Sequence, residues 1–416
     1  MTKVALLIGT VLLGAAPISA QTLRDAVTQA YASNPQLLAA RARQEALEEE
    51  PEQARAAGRL TAAATGNGGY DRLNYGRVAS ATASATLPIW TGGRVQSAVR
   101  AAKRDVAAGA QGLRDAEAVI LQAVVSAYAD LLYSQQAVEV ARIGIERLDR
   151  QVAEARSRFG LGQATQTDVA QLEAQRASVA ANLADADGAL ATASAAYRAA
   201  VGSDAPMLSA EVPAPALLPP TLSEARVQAE TNNPLLLQQR QVVKSALARI
   251  NQARADRAPS LDLTGGYGRG GRLIDGRVRG LTAAASVGLS LRLPLLTGGL
   301  VPSRVRQAEA VARAERFQTD AAEREARRSV DAAWASLAAT QGRQRAATDG
   351  LAAADLALKG VRAEYGFGLR STIDILVADQ SFRSAQLSVA SARSDVLVAQ
   401  AALLRAVGAF GRDAYD

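Results

Sequence analysis

The chain of 416 residues contains no cysteine and no histidine. Without cysteine there is no disulfide, no thiolate metal site, and no residue to carry the lipid of a bacterial lipoprotein. Without histidine, Ser-His-Asp and Cys-His catalysis and imidazole metal ligation are excluded, and no carboxylate cluster suggests another chemistry, so no enzyme and no cofactor is expected. Five phenylalanines leave little for base-stacking platforms. No Gly-Lys-Ser/Thr phosphate loop occurs, so any energised process must draw on a partner. Beyond the first twenty residues no run of eighteen uncharged apolar residues exists, so a membrane crossing in the mature chain must use strands rather than helices.

What is present begins with Lys3, an apolar stretch from Val4 to Ala16, and Pro17-Ile18-Ser19-Ala20 before Gln21. This predicts a secretory signal peptide over 1–20, too short in its apolar part to span a bilayer. The net charge is +7, from 47 basic and 40 acidic residues interleaved along helical segments. That pattern describes solvated helix surfaces and speaks against a nucleic-acid partner.

The sequence is written twice. Thr22-Leu23 recurs at Thr221-Leu222 and Asn34-Pro35 at Asn233-Pro234, an offset of 199. Leu87-Pro88-Ile89-Trp90-Thr91-Gly92-Gly93 answers Leu293-Pro294-Leu295-Leu296-Thr297-Gly298-Gly299 at an offset of 206, which Val201-Gly202 and Val407-Gly408 keep. The seven extra residues are assigned to a loop from Gly270 to Gly280. Repeat 1 spans 21–202, with a hairpin at about 60–89 and helices at about 94–158 and 166–201. Repeat 2 spans 221–408, with a hairpin at about 260–293 and helices at about 302–364 and 372–407. A proline-rich connector, 203–220, separates them, and 409–416 is a short tail. Pro51 interrupts a helical stretch and predicts a kink.

Period-two alternation marks the strands: Ala79, Ala81, Ala83, Ala85 and Leu87 oppose Ser80, Thr82, Ser84 and Thr86, and Val287, Leu289 and Leu291 oppose Ser286, Gly288 and Ser290. Their length fits outer-membrane strands. From Val106 to Phe159 a seam of alternating four- and three-residue steps is apolar at fourteen of sixteen positions, a helix on the order of 100 Å long. Four strands cannot close on themselves in lipid, so the barrel must be shared between chains. The expected fold is an α+β membrane protein: a shared antiparallel β-barrel with four strands per chain, continued by a long periplasmic barrel of coiled-coil helices.

The order of these landmarks, with the turns Phe159-Gly160-x-Gly162-x-x-Thr165-x-Thr167-Asp168 and Tyr365-Gly366-x-Gly368-x-Arg370-Ser371-Thr372-x-Asp374, resembles the TolC family of outer-membrane efflux and type I secretion channels over nearly all of Gln21 to Gly408. The resemblance implies a homotrimer with twelve strands, embedded in outer-membrane lipid and reaching into the periplasm. It also implies docking through a periplasmic adaptor to an inner-membrane ABC or RND pump. By the same resemblance Thr167, Asp168, Tyr365 and Arg370 form a periplasmic gate. Asp374 is a lumen constriction, and Gly160, Gly162, Gly366 and Gly368 sit on adaptor-docking tips. A second acidic ring, one turn beyond Asp374, falls instead on Val377. The lack of an N-terminal cysteine resembles the non-lipidated members. In the latch expected here, Asp168 pairs with Arg370 and the Tyr365 hydroxyl adds a hydrogen bond. The hairpin loops 71–77 and 270–280 are expected outside the cell, with Arg72, Arg77, Arg272, Arg277 and Arg279 facing anionic lipopolysaccharide. The competing function is a periplasm-spanning structural or adhesion protein anchored by its hairpins.

Overall fold

A computed structural model describes residues 20–71, 76–204, 207–210, 212, 215, 217–274 and 277–415. The signal peptide, but for Ala20, and Arg72 thus lie outside the described residues. The first repeat runs α1 (Leu23–Ser33), α2 (Pro35–Glu48), α3 (Glu50–Ala56), β1 (Thr61–Asp71), β2 (Gly76–Trp90), α4 (Arg94–Gly160) and α5 (Gln166–Val201). The second runs α6 (Leu222–Asn232), α7 (Pro234–Ala255), β3 (Ser260–Ile274), β4 (Arg277–Arg292), α8 (Leu300–Gly366) and α9 (Thr372–Val407), before a 3-10 turn at Arg412–Tyr415.

The repeated Asn-Pro pairs are corners. Asn34 Oδ1 accepts from the backbone N–H groups of Gln36 and Leu37 at 2.9 and 3.3 Å, while its amide donates to the Ala200 carbonyl at the end of α5, 3.0 Å away. Asn233 does the same, accepting from Leu236 N–H at 3.1 Å and donating to Ala406 O at 3.0 Å. Proline follows because the first helical N–H has no partner to lose. Pro51 has a related explanation: the helix breaks at Glu49, and proline sits in the first turn of α3.

The four strands form one antiparallel sheet in the order β1-β2-β3-β4. Register carries the period-two pattern across it: Leu87, Leu263 and Leu289 are directly opposed, and so are Thr86, Thr264 and Gly288 one step away. One face is therefore apolar and the other polar. The second hairpin differs from expectation. Gly270–Ile274 and Arg277–Gly280 belong to β3 and β4, so the added residues lengthen strands instead of a loop, leaving only 275–276 between them. Likewise Asp71, Gly76 and Arg77 are strand residues, with 72–75 outside those described.

Each sheet-to-helix transition uses the Thr-Gly-Gly motif. Gly92 and Gly93 have φ of 60° and 82°, Gly298 and Gly299 of 56° and 80°, and the Arg94 and Leu300 N–H groups donate back to Thr91 and Thr297. Two successive left-handed residues turn the chain in a way that side chains with a Cβ resist.

Both long helices have 67 residues and both return helices 36. At 1.5 Å per residue α4 extends about 100 Å. Its seam residues Val124, Leu131, Val138, Leu148 and Val152 are buried, whereas Phe159 at its end is exposed. The main core lies at mid-height, where Tyr128 and Tyr197 are fully buried. The Tyr128 hydroxyl is 2.8 Å from the Ser209 carbonyl, tying the connector to α4, and burial pushes that phenol up to about 12.

Candidate functional site at the helical tips

At the end of α4, Gly162 N–H donates to Phe159 O at 2.9 Å and Gln163 N–H to Arg158 O at 2.8 Å. At the end of α8, Gly368 N–H donates to Tyr365 O at 2.9 Å and Leu369 N–H to Glu364 O at 3.0 Å. These are paired Schellman closures with glycine in the left-handed position, φ 73° at Gly162 and 76° at Gly368. Gly160 and Gly366 are the last helical residues, and open space surrounds the place of a Cβ at either. The sequence glycines thus divide into two that make the turn and two that leave the tip bare. Leu161, Phe367 and Leu369 stand exposed beside them.

The return helices start on capping boxes. Asp168 accepts from the Thr165 hydroxyl at 2.7 Å and the Thr165 N–H at 3.0 Å, and Thr165 Oγ1 accepts from Asp168 N–H at 3.2 Å. Asp374 accepts from the Ser371 N–H at 2.9 Å and the Ser371 hydroxyl at 2.8 Å. Hydrogen bonds from the Thr165 side chain, then its backbone, hold the Asp168 carboxyl below its ordinary value. For Asp374 the lowering comes from the Ser371 backbone first, then its side chain, with the Arg370 charge adding to it.

The expected Asp168–Arg370 latch is not made within the chain. Arg370 Nε donates to Glu364 at 2.6 Å, and the Tyr365 hydroxyl accepts from Arg158 at 3.4 Å with the guanidinium 5.6 Å from its ring centroid. The physical reason is proximity: Glu364 lies across the same turn as Arg370, while Asp168 Oδ2 is engaged by its own cap. Thr167 is exposed in the first turn of α5, and Val377 is exposed one turn beyond Asp374. Arg158, Tyr365, Leu172 and Thr372 line a cleft of about 300 Å³ between the tips.

Above the tips is a cluster that sequence reasoning missed. Asp379 on α9 is 2% exposed and meets Arg383 at 2.9 Å, Arg362 of α8 at 3.2 Å and Arg147 of α4 at 3.7 Å. Gly144 makes room for it, since a Cβ there would lie 3.2 Å from Arg383 Cδ. The node clamps both repeats together just above their turns. Asp379 and Arg383, four apart on one helix, read in sequence as an ordinary solvated pair; the only available signal was Gly144 inside a long helix.

This architecture has relatives throughout. The sequence pattern of the family described as "Outer membrane efflux protein" matches residues 26–203 and 225–409. The chain is 32% identical to the outer membrane efflux protein BepC of Brucella suis, over 98% of this chain and 90% of that one. It is 29% identical to the outer membrane protein TolC of Escherichia coli, over 97% and 85%. The crystal structure of the outer membrane protein VceC of Vibrio cholerae superposes with a TM-score of 0.74 over 93% of this chain and 96% of that one, at 22% identity. With its duplicated hairpins and paired helical tips, the chain belongs to the outer membrane efflux protein family, the TolC-like channels of the Gram-negative outer membrane that extend into the periplasm.

Proposed function

We propose that three copies of the chain close a twelve-stranded barrel and a continuous helical duct for efflux of small molecules or type I secretion of proteins, under the drive of an inner-membrane ABC or RND pump and its adaptor. The observation that carries this is the sheet itself. β1 and β4 are both edge strands with one open side, and an open edge in hydrocarbon strands backbone N–H and C=O groups at several kcal/mol each. Additional copies joining β4 to β1 remove both edges. The glycine turns with Leu161, Phe367 and Leu369 form the surface an adaptor would grasp, and the tips narrow the duct. An anchoring protein would need the strands but not a continuous lumen.

Purified protein in a planar bilayer decides the matter. Discrete current steps from a species with the mass of three chains are expected. A trimer that inserts but carries no current would point to an anchor, and a stable lipid-embedded monomer would overturn the architecture.

A further inference from the structure

The upper end of the second hairpin contains an irregularity with an electrostatic result. Along β4, Ala283, Ala285, Val287, Leu289 and Leu291 lie on the apolar face, so unbroken alternation would put Arg277 and Arg279 there too. It is broken: Gly270 pairs with Thr282 but Arg272 with Arg279, so two steps on β3 meet three on β4. The extra residue is Gly280, with φ 66°. Opposite it, a Cβ on Gly271 would lie 2.5 Å from the Arg279 carbonyl oxygen. Two glycines therefore build this bulge into the strand, and beyond it the faces exchange. Val278 now pairs with Leu273 on the apolar face, and Arg279 and Arg277, opposite Arg272 and Ile274, join the polar face of Thr264, Ser286 and Thr282. Arg77 and Arg269 stay on the apolar side, level with Tyr70 and Ala81, and the Arg269 guanidinium sits 6.0 Å from the Tyr267 ring.

Resting on the conduit reading above, we propose that this bulge turns Arg277 and Arg279 into the duct beside Arg272 and makes its outer mouth a cationic collar for anionic permeants, solutes bearing phosphate or carboxylate groups. Arginine suits both oxyanions through its planar fork. The three side chains come from adjacent strands at one level, so three chains would place nine around the opening. Rings of arginine set anion preference in pores. Of the arginines expected to face lipopolysaccharide, only Arg77 is on the outer face among the described residues.

The test uses the full-length protein in planar bilayers under a potassium chloride gradient. Replacing all three collar arginines by glutamine (R272Q, R277Q, R279Q) should move the reversal potential toward cation preference and abolish block by inositol hexakisphosphate added on the outer side. The outer-face pair R77Q, R269Q should leave both as in wild type. Because the chain has no cysteine, the exchange of faces is read directly: a charged aqueous thiol reagent should alter the current of Arg279→Cys and not of Val278→Cys. An unchanged reversal potential in the triple variant, or any other labelling pattern, overturns the collar. Wild-type protein that inserts without conducting overturns the conduit reading first, before any variant is compared.

Discussion

Asp379 shows how one side chain can hold several helices. Buried beside Arg383, with the partly exposed Arg147 and Arg362 reaching it from solvent, it compensates the Arg383 charge that the surrounding apolar helices cannot solvate, and Arg383 Nη2 is already buried without a hydrogen-bond partner among the described residues. Removing one partner of such a group costs about 3–5 kcal/mol, because the remaining charges stay behind. Asp379→Ala should lower stability by about that much, measured by denaturant unfolding in detergent followed by helical circular dichroism. Asp355→Ala, which breaks an exposed pair with Lys359, should change it by about 1 kcal/mol or less. The comparison bears on what a sequence discloses. Asp168 and Asp374 were legible as tip residues because each follows a glycine turn, but their first duty, closing a capping box, is announced only by a Thr or Ser three places earlier. Asp379 was illegible because burial against α4 and α8 is a property of three helices at once.

The capping aspartates also set a pH response. Their folded-state pKa values are lowered, so the stability they contribute is present above the ordinary carboxylate value of about 4 and is lost as pH falls through the lower folded value. The first turns of α5 and α9 should therefore fray over the interval from about pH 4 downward, with no change at neutral pH. Amide exchange normalised to the middle of α4 reports this. Protection that is flat across that interval would mean the caps are not what holds those turns.

Among the elements, the tips separate two kinds of glycine. Gly162→Ala places a Cβ in a left-handed position and should destabilise the turn by about 1–2 kcal/mol. Gly160→Ala, in a helix with open space around it, should be neutral or stabilising by up to about 1 kcal/mol. Thermal unfolding of the two variants checks the difference in sign. If Gly160→Ala nonetheless abolishes capture of a periplasmic adaptor in a pull-down, its bare surface is a docking feature and not a folding one. Element boundaries were largely readable in the sequence because proline, glycine and the two periodicities act locally. The long helices run over Arg94–Gly160 and Leu300–Gly366, and the strands reach beyond the alternating stretches into the loops expected at 71–77 and 270–280. What escaped was the Gly280 bulge, since alternation reads parity along one strand while a bulge is defined by the strand beside it.

For the whole molecule the expected latch must be redrawn. Tyr365 is held by Arg158, which joins the ends of α4 and α8, and Arg370 by Glu364 within its own tip, so the contact between the tips is Arg158–Tyr365 and not Asp168–Arg370. If these contacts favour the narrowed duct, Tyr365→Phe with Arg370→Ser should increase single-channel conductance while the mass of the assembly is unchanged. Glu364→Gln, which removes only the partner of Arg370, should produce a smaller increase. Wild-type conductance in a correctly assembled double variant would remove these residues from the gate. If Asp374 lines the constriction proposed above, Asp374→Ala should mainly reduce cation preference, since it subtracts negative charge there.

The equal lengths of α4 and α8, and of α5 and α9, make the chain its own ruler. The two turns must reach the same depth to pack against one another through Leu172, Val179 and Leu376. A heptad added to α4 alone would push one turn about 10 Å past the other and leave an unmatched overhang. A change of reach, to suit a wider periplasm or a longer adaptor, therefore has to be made four times at once, lengthening each descending helix and its return by the same whole number of heptads. Depth in this architecture is inherited in quanta, and a lineage that duplicated one chain half into two accepted that every later adjustment of span would have to be copied into both.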